Sequence, residues 1–308
     1  MKVTVKVPAT TANIGPGFDC FGMALPIYNE ITVEETIMPG TGVEINIIDE
    51  NEEFETLSIP TDENNIVYKA IKLLYESIGM SASELKISIK TQIPIAKGLG
   101  SSASVIVGGL IAANQLLGSP ADEAALLSIA TEIEGHPDNI APAILGGFIL
   151  SSQEEDGSVV YRKLPWPKDW KITVCVPDYE LATEISRSVL PEKVEIKDAA
   201  FNARRCAMLI EAVHSQDANL MKLAMQDKLH QPYRMKLVPG LKQITEKLKH
   251  EEDVLGCVLS GAGPSIIVVS QGKNIEKIKN IVSQTWFDLN VRSDIKTLEI
   301  EEQGAVIV

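Results

Sequence analysis

Residues 94–104, PIAKGLGSSAS, hold the densest cluster of groups able to do chemistry in this chain. Gly98 and Gly100 stand beside Ser101 and Ser102. The stretch before them, LKISIKTQI at 85–93, alternates apolar and polar residues and predicts a half-buried strand. The stretch after them, SSASVIVGGLIAANQLL at 101–117, predicts a buried helix. A strand, a glycine-rich loop and a helix N-terminus together suit an anion. The first helical turn carries unpaired N–H groups and the positive end of the helix dipole. Glycines allow positive φ and close approach of the backbone, and serine hydroxyls can donate to phosphate or ligate Mg²⁺. The same residues also fit a plain turn capped by serine.

Spacing separates the nucleotide chemistries. The common P-loop needs a lysine after its second glycine, whereas Lys97 precedes Gly98. Gly98, Gly100 and Ala103 do satisfy G-x-G-x-x-A, the dinucleotide fingerprint. That fold expects an acid ending a strand about twenty residues on. Here the distance falls at Asp122 and Glu123, which open a helical pattern. A nucleoside triphosphate therefore ranks above a dinucleotide.

The 308 residues are enough for one large or two medium domains. A net charge of −14 argues against nucleic acid or an anionic membrane as partner, and requires local cations to draw in an anionic substrate. Cys20, Cys175, Cys206 and Cys257 are widely spaced with no C-x-x-C, which fits buried free thiols in a reducing cytoplasm rather than zinc or disulfides. The N-terminus has no apolar signal core and no run is long enough to span a membrane.

The elements that must position the loop read as follows. Residues 2–7 alternate as a strand ending at Pro8, and TTANIGPGFDCFG is a structured loop with Asn13 and Asp19 as its polar candidates. Strands are predicted over 28–37 and 43–48, and an amphipathic helix over 65–78 with Asn65 as cap. A helix over 121–134 ends on Glu132 and Glu134, unfavourable with the dipole and a hint of a nearby cation. His136-Pro137-Asp138-Asn139 and APAILGGFILSS predict a turn into a buried strand. A boundary follows within 153–170. Then come a strand at 171–178, helices near 196–214 and 217–228, strands at 254–260 and 264–270 around a glycine-rich turn, a helix near 273–287 and a strand over 290–300. Arg187 and Arg234 flank prolines, and arginine suits a bidentate carboxylate clamp.

The loop resembles the phosphate loop P-x-x-x-G-L-G-S-S-A of the GHMP kinases. PATTANIGPGFDCFGMAL at 8–25 is similar to that family's first motif and LSGAGPSIIVV at 259–269 to its third. EGHPDNIAPAILGGF and QPYRMKLVPG bring the match closest to members that phosphorylate homoserine. The resemblance implies an α+β, two-domain GHMP-kinase fold. Residues 1–160 would form a ribosomal-protein-S5-like, ATP-binding N-terminal domain and 161–308 a ferredoxin-like C-terminal domain. It implies ATP, Mg²⁺ and L-homoserine as ligands, a cytoplasmic homodimer, and a place in threonine biosynthesis. Pro94, Ile95, Ala96, Lys97, Gly98, Leu99, Gly100, Ser101, Ser102, Ala103 and Ser104 would bind ATP, with Asn65 near the adenine. Ser102 and Glu132 would hold the metal, with Glu134 as rival. Asn13, Asp19, His136, Arg187, Arg234 and Gly261 would bind homoserine, with Asp19 positioning the hydroxyl.

Many relatives place a catalytic aspartate where Asn139 stands, and an amide cannot take a proton. Asn139 is therefore expected to stabilise the transition state, which suits the loose phosphoryl-transfer transition state. The rivals are a kinase for mevalonate or a sugar, a nicotinamide-dependent oxidoreductase, and a non-catalytic ATP or amino-acid sensor.

Overall fold

A computed structural model describes residues 1–36, 42–50, 59–82 and 84–308. Strands β1 (Lys2–Ala12) and β2 (Phe21–Glu35) form a long antiparallel pair. β3 (Val43–Asp49) runs parallel to β4 (Leu85–Thr91), which pairs with the outer half of β2. Between them lies α1 (Ile66–Ser77). Next come α2 (Ser101–Leu116), α3 (Glu123–Glu134) and α4 (Pro137–Leu145), then β5 (Phe148–Gln153) and β6 (Val159–Leu164). β5 pairs with the inner end of β2 and β6 with β5.

The second part opens with β7 (Lys171–Pro177) and passes through α5 (Thr183–Ser188), α6 (Ile196–Ser215), α7 (Ala218–Ala224), the short α8 (Gln231–Arg234) and α9 (Leu241–Leu248). It ends with β8 (Val254–Leu259), β9 (Ile266–Ser270), α10 (Ile275–Phe287) and β10 (Ser293–Leu298). The sheet order is β10-β7-β9-β8, all antiparallel, with helical segments after the first and third strands in sequence. That is the ferredoxin-like pattern. The chain then returns, and β11 (Val306–Ile307) pairs with β1. Among the described residues the first sheet thus has seven strands. The α+β, two-domain architecture matches the expectation.

Both parts bury one face of a sheet under helices. Val5, Val7, Ile31, Val33 and Ile87 meet Val107, Leu110 and Leu127 of α2 and α3. α2 lies close on its neighbours because it carries two glycines there. A Cβ on Gly108 would come 2.6 Å from Ile31, and one on Gly109 2.6 Å from Val67.

Several elements differ from the pattern in the sequence. β1 continues through Pro8 to Ala12, with a register shift at Pro8/Ala9, where a proline is tolerated in a strand. β2 begins at Phe21. Phe21–Leu25 is buried on both faces, so the alternation that marks a half-buried strand is lost. The irregular loop shrinks to residues 13–20. Ile37, the end of the predicted second strand, lies outside the described residues. Residues 137–145, read as a turn running into a buried strand, form α4 with Pro137 in its first turn and Pro142 inside it. β6 straddles 160 and stays with the first sheet, so the chain passes to the second sheet between Leu164 and Lys171 and returns to the first only at β11. Of the four cysteines, all free, only Cys175 is fully buried.

Candidate active site

The loop at 94–100 follows β4 and turns sharply. Ala96, Gly98 and Gly100 all have positive φ, at 54°, 76° and 68°. Four successive carbonyls are taken up by the body of the protein. The Leu181 amide donates to Ala96 O at 3.1 Å, Ser265 N to Lys97 O at 3.2 Å and Thr10 N to Leu99 O at 3.1 Å. Ser260 Oγ donates to Gly98 O at 2.6 Å. A peptide's N–H points opposite its C=O, so the amide side of the loop turns to the cavity that the loop lines. Gly98 has to be glycine, since a Cβ there would lie 2.3 Å from Ser260 O. Helix α2 starts from Gly100 in the left-handed region with no side chain capping it. Its first-turn amides face the same cavity without the serine cap that the sequence allowed.

Ser102 Oγ donates to Glu134 Oε2 at 2.8 Å across the cavity mouth. Burial raises the Glu134 carboxyl above its ordinary value, against the pull of His136 and the Ser102 hydrogen bond. Glu132, two residues back on α3, is exposed and does not line the cavity. Of the two glutamates, Glu134 and not Glu132, the first expectation, is therefore the one beside Ser102 and the cavity: positions i and i+2 of a helix face different ways. Ala103 and Ser104 also turn from the cavity into the core, and Ser104 Oγ accepts from Asn29 at 2.8 Å. The Lys97 ammonium is buried against the carbonyls of Pro177 and Tyr179, at 3.1 and 3.0 Å. Only the main chain of Lys97 is thereby offered to a phosphate. Asn65 lines the apolar end of the cavity, between Ile47, Ile89 and Ile95. Its amide caps α1 through Val67 N and donates to Pro60 O.

At the other end of the cavity the residues come from four separate segments. The 13–20 loop is strained: Asn13, Ile14 and Asp19 have φ of 71°, 43° and 56°, and Ile14 is β-branched. Asn13 holds it in shape, accepting from Asp19 N at 3.0 Å and donating to Gly261 O at 3.0 Å. Arg187 on α5 makes a two-point contact with Asp19, Nη2–Oδ1 2.8 Å and Nη1–Oδ2 3.3 Å. Arg234 is 2% exposed and donates through Nε to Ser186 O and through Nη1 to Gly261 O. Its pKa is lowered to about 10, first by burial and then by the charge of Arg187. Phe18 lies under both guanidinium groups, 5.5 Å from that of Arg187 and 5.3 Å from that of Arg234, and stacks on His230.

Between the two ends stands α4. His136 Nδ1 is 2.7 Å from Asp138 Oδ1, and Asp138 is 2% exposed. Burial works against the imidazolium, but the Asp138 hydrogen bond and charge, with Glu134 and Asp19, outweigh it and raise the His136 pKa. Asn139 faces the cavity beside it. Phe18, Asp138, His230 and Thr10 stand around the site in addition to the residues that the sequence singles out. Phe18 and Thr10 lay within the first motif but carry no charge to attract notice.

The arrangement sets a backbone anion cradle, a hydroxyl–carboxylate pair and a pair of arginines around one cavity. Among the described residues no helix is long and apolar enough to cross a membrane. The family model described as "GHMP kinases N terminal domain" matches residues 65–147, and "GHMP kinases C terminal" matches 209–288. The chain is 40% identical over 303 residues to a homoserine kinase of Crocosphaera subtropica, covering 98% of this chain and 96% of the relative. It is 41% identical to a homoserine kinase of Moorella thermoacetica, covering 99% of each. The crystal structure of homoserine kinase from Cytophaga hutchinsonii superposes with a TM-score of 0.88 at 30% identity, covering 100% of this chain and 97% of that one.

Proposed function

We propose that this chain, which belongs to the GHMP kinases and within them to the homoserine kinases, transfers the γ-phosphoryl group of ATP to the side-chain hydroxyl of L-homoserine. The products are O-phospho-L-homoserine and ADP, on the route to threonine. The observation that carries the reading is the meeting of two opposite specificities in one cavity: amides turned toward an anion at the 94–102 loop, and two arginines beside an aspartate at the far end.

Main-chain amides of the loop and of the first turn of α2 hold the β- and γ-phosphates. The apolar end, from Ile47 to Ile95, takes the adenine by shape. Ser102 and Glu134 are hard oxygen donors and fit Mg²⁺, which takes few protein ligands and completes its shell with phosphate and water. When bound, Mg²⁺ neutralises charge on the β- and γ-phosphates. Asp19 positions the substrate hydroxyl, and Arg187 joins Arg234 on the carboxylate. The hydroxyl oxygen forms its bond to the γ-phosphorus as the bond from phosphorus to the β-bridging oxygen breaks, and the hydroxyl proton passes to a phosphate oxygen. Asn139 donates to the phosphoryl oxygens in the transition state and accepts no proton. The free thiols and the family resemblance support a cytoplasmic enzyme. The resemblance alone supports a homodimer.

The test is ADP release from purified protein with ATP, comparing L-homoserine with mevalonate, galactose and L-serine, with and without Mg²⁺. Release with homoserine alone, dependent on Mg²⁺, is the expected result. Release only with mevalonate or galactose keeps the loop and discards the arginine clamp.

A further inference from the structure

Thr10 sits behind the reacting centre, fully buried on β1 and outside the cavity lining. Its hydroxyl donates to Asn139 Oδ1 at 2.7 Å. That bond runs directly beneath the residue that opens α2: a Cβ on Gly100 would lie 1.9 Å from Thr10 Oγ1 and 3.1 Å from Asn139 Oδ1. At its other end the Asn139 amide donates through Nδ2 to Asp138 Oδ1 at 3.3 Å. A carboxylate only accepts, so the reversed amide would set oxygen against oxygen there. Thr10 and Asp138 therefore agree on one orientation. Nδ2 has two hydrogens, and Asp138 takes one.

We propose that Thr10 is a positioning residue for phosphoryl transfer: its hydroxyl fixes the Asn139 amide so that the second Nδ2 hydrogen is presented to the transferring phosphoryl group. This rests on Asn139 acting on that group. Thr10 also holds the phosphate loop, but through its main-chain N–H to Leu99 O, a bond that every non-proline side chain keeps. Hydroxyl and main chain can thus be separated by substitution. Val replaces Thr with the same shape and suits a strand.

The experiment measures kcat, both KM values and the melting temperature for T10V, T10S, N139A and T10V/N139A, with T10A in place of T10V should the latter not fold. T10V lowers kcat about 10–10²-fold, below the ~10²–10³-fold that follows loss of a transition-state donor itself, with both KM values within about threefold. T10S, which restores the hydroxyl, returns kcat to within about threefold of wild type. The double variant is no slower than N139A, because Thr10 acts only through Asn139. If N139A is slow but T10V runs at the wild-type rate, or if the two losses multiply in the double variant, the proposal fails and the role of Asn139 stands. N139A at the wild-type rate overturns both.

Discussion

The two ends of the cavity are made in opposite ways. The phosphate end is one contiguous stretch, 94–102, and most of what it offers is main chain. Its carbonyls are tied down by Leu181, Ser265, Ser260 and Thr10, three of them from the second part of the chain. The acceptor end is made of side chains from segments far apart in sequence, and its chief ion pair, Asp19–Arg187, is about a third exposed at each partner. A cradle of amides carries no cost of orienting long side chains but tolerates no change of backbone. A clamp of side chains can be altered one group at a time, and its free contacts rearrange when the ligand arrives. The first end is suited to a donor shared by many kinases and the second to an acceptor that distinguishes them.

That contrast breaks most sharply at Gly98. Gly98→Ala combines a left-handed φ with a Cβ 2.3 Å from one carbonyl and 2.8 Å from another, Gly263 O. Neither is a side chain that can swing away. Turnover with saturating homoserine is expected to fall by about 10²–10³-fold, the scale for losing preorganised donors. Gly118→Ala is the control: φ is +79° but nothing lies within 4 Å. It is expected to cost about 1–2 kcal/mol in unfolding free energy from backbone strain alone and to leave kcat in place. Near-normal turnover in G98A would mean that the loop does not hold the phosphates by its main chain.

The same contrast explains what the sequence made legible. The phosphate end is local: glycine spacing, a strand pattern before it and a buried helix after it are all within one window. The acceptor end brings Asp19 to Arg187 across 168 positions, and no spacing rule reports such a meeting. Only the resemblance pointed to it. Spacing does not report the direction of a single side chain. Lys97 sits in the loop yet sends its ammonium to Pro177 and Tyr179, and Glu132 sits on the right helix but on the wrong side. α4 was hidden by its two prolines, and β11 is too short at two residues to show a period.

The acceptor end predicts a different kind of failure. Arg234→Met keeps length and apolar contact with Phe18 but removes the charge. Loss of a buried charge-assisted hydrogen bond to the carboxylate, about 1.5–3 kcal/mol, raises KM for homoserine by about 10–10²-fold and leaves KM for ATP unchanged. Arg187→Met should cost less, because its guanidinium is 38% exposed and the charge there is better screened. Equal losses for the two, or a parallel rise in KM for ATP, would erase the division between the two ends.

The smallest effect concerns His230, which underlies the acceptor end. It is fully buried, with Nε2 2.8 Å from Gly15 O and Nδ1 3.3 Å from Arg234 Nη1. Gly15 O only accepts and Arg234 only donates, so the ring is neutral with its proton on Nε2. A second proton would have to sit against the guanidinium. Burial lowers the His230 pKa below 6.5, with Arg234 adding to the shift and Asp227 opposing it. The unfolded chain therefore takes up a proton near pH 6.5 that the folded chain refuses. Folding loses stability as pH falls below that value, by at most about 1.4 kcal/mol per pH unit from this one group. His136 has a raised pKa, so its contribution is present below 6.5 and is lost as pH rises through the folded value, the opposite sign. His230→Gln isolates the first, since His136 is common to both proteins. Urea unfolding at pH 7.5 and 5.0 is expected to show wild type losing more stability than H230Q over that interval. An equal loss would mean that His230 is charged in the folded protein, and that the base of the acceptor end carries one more positive charge than its hydrogen bonds assign.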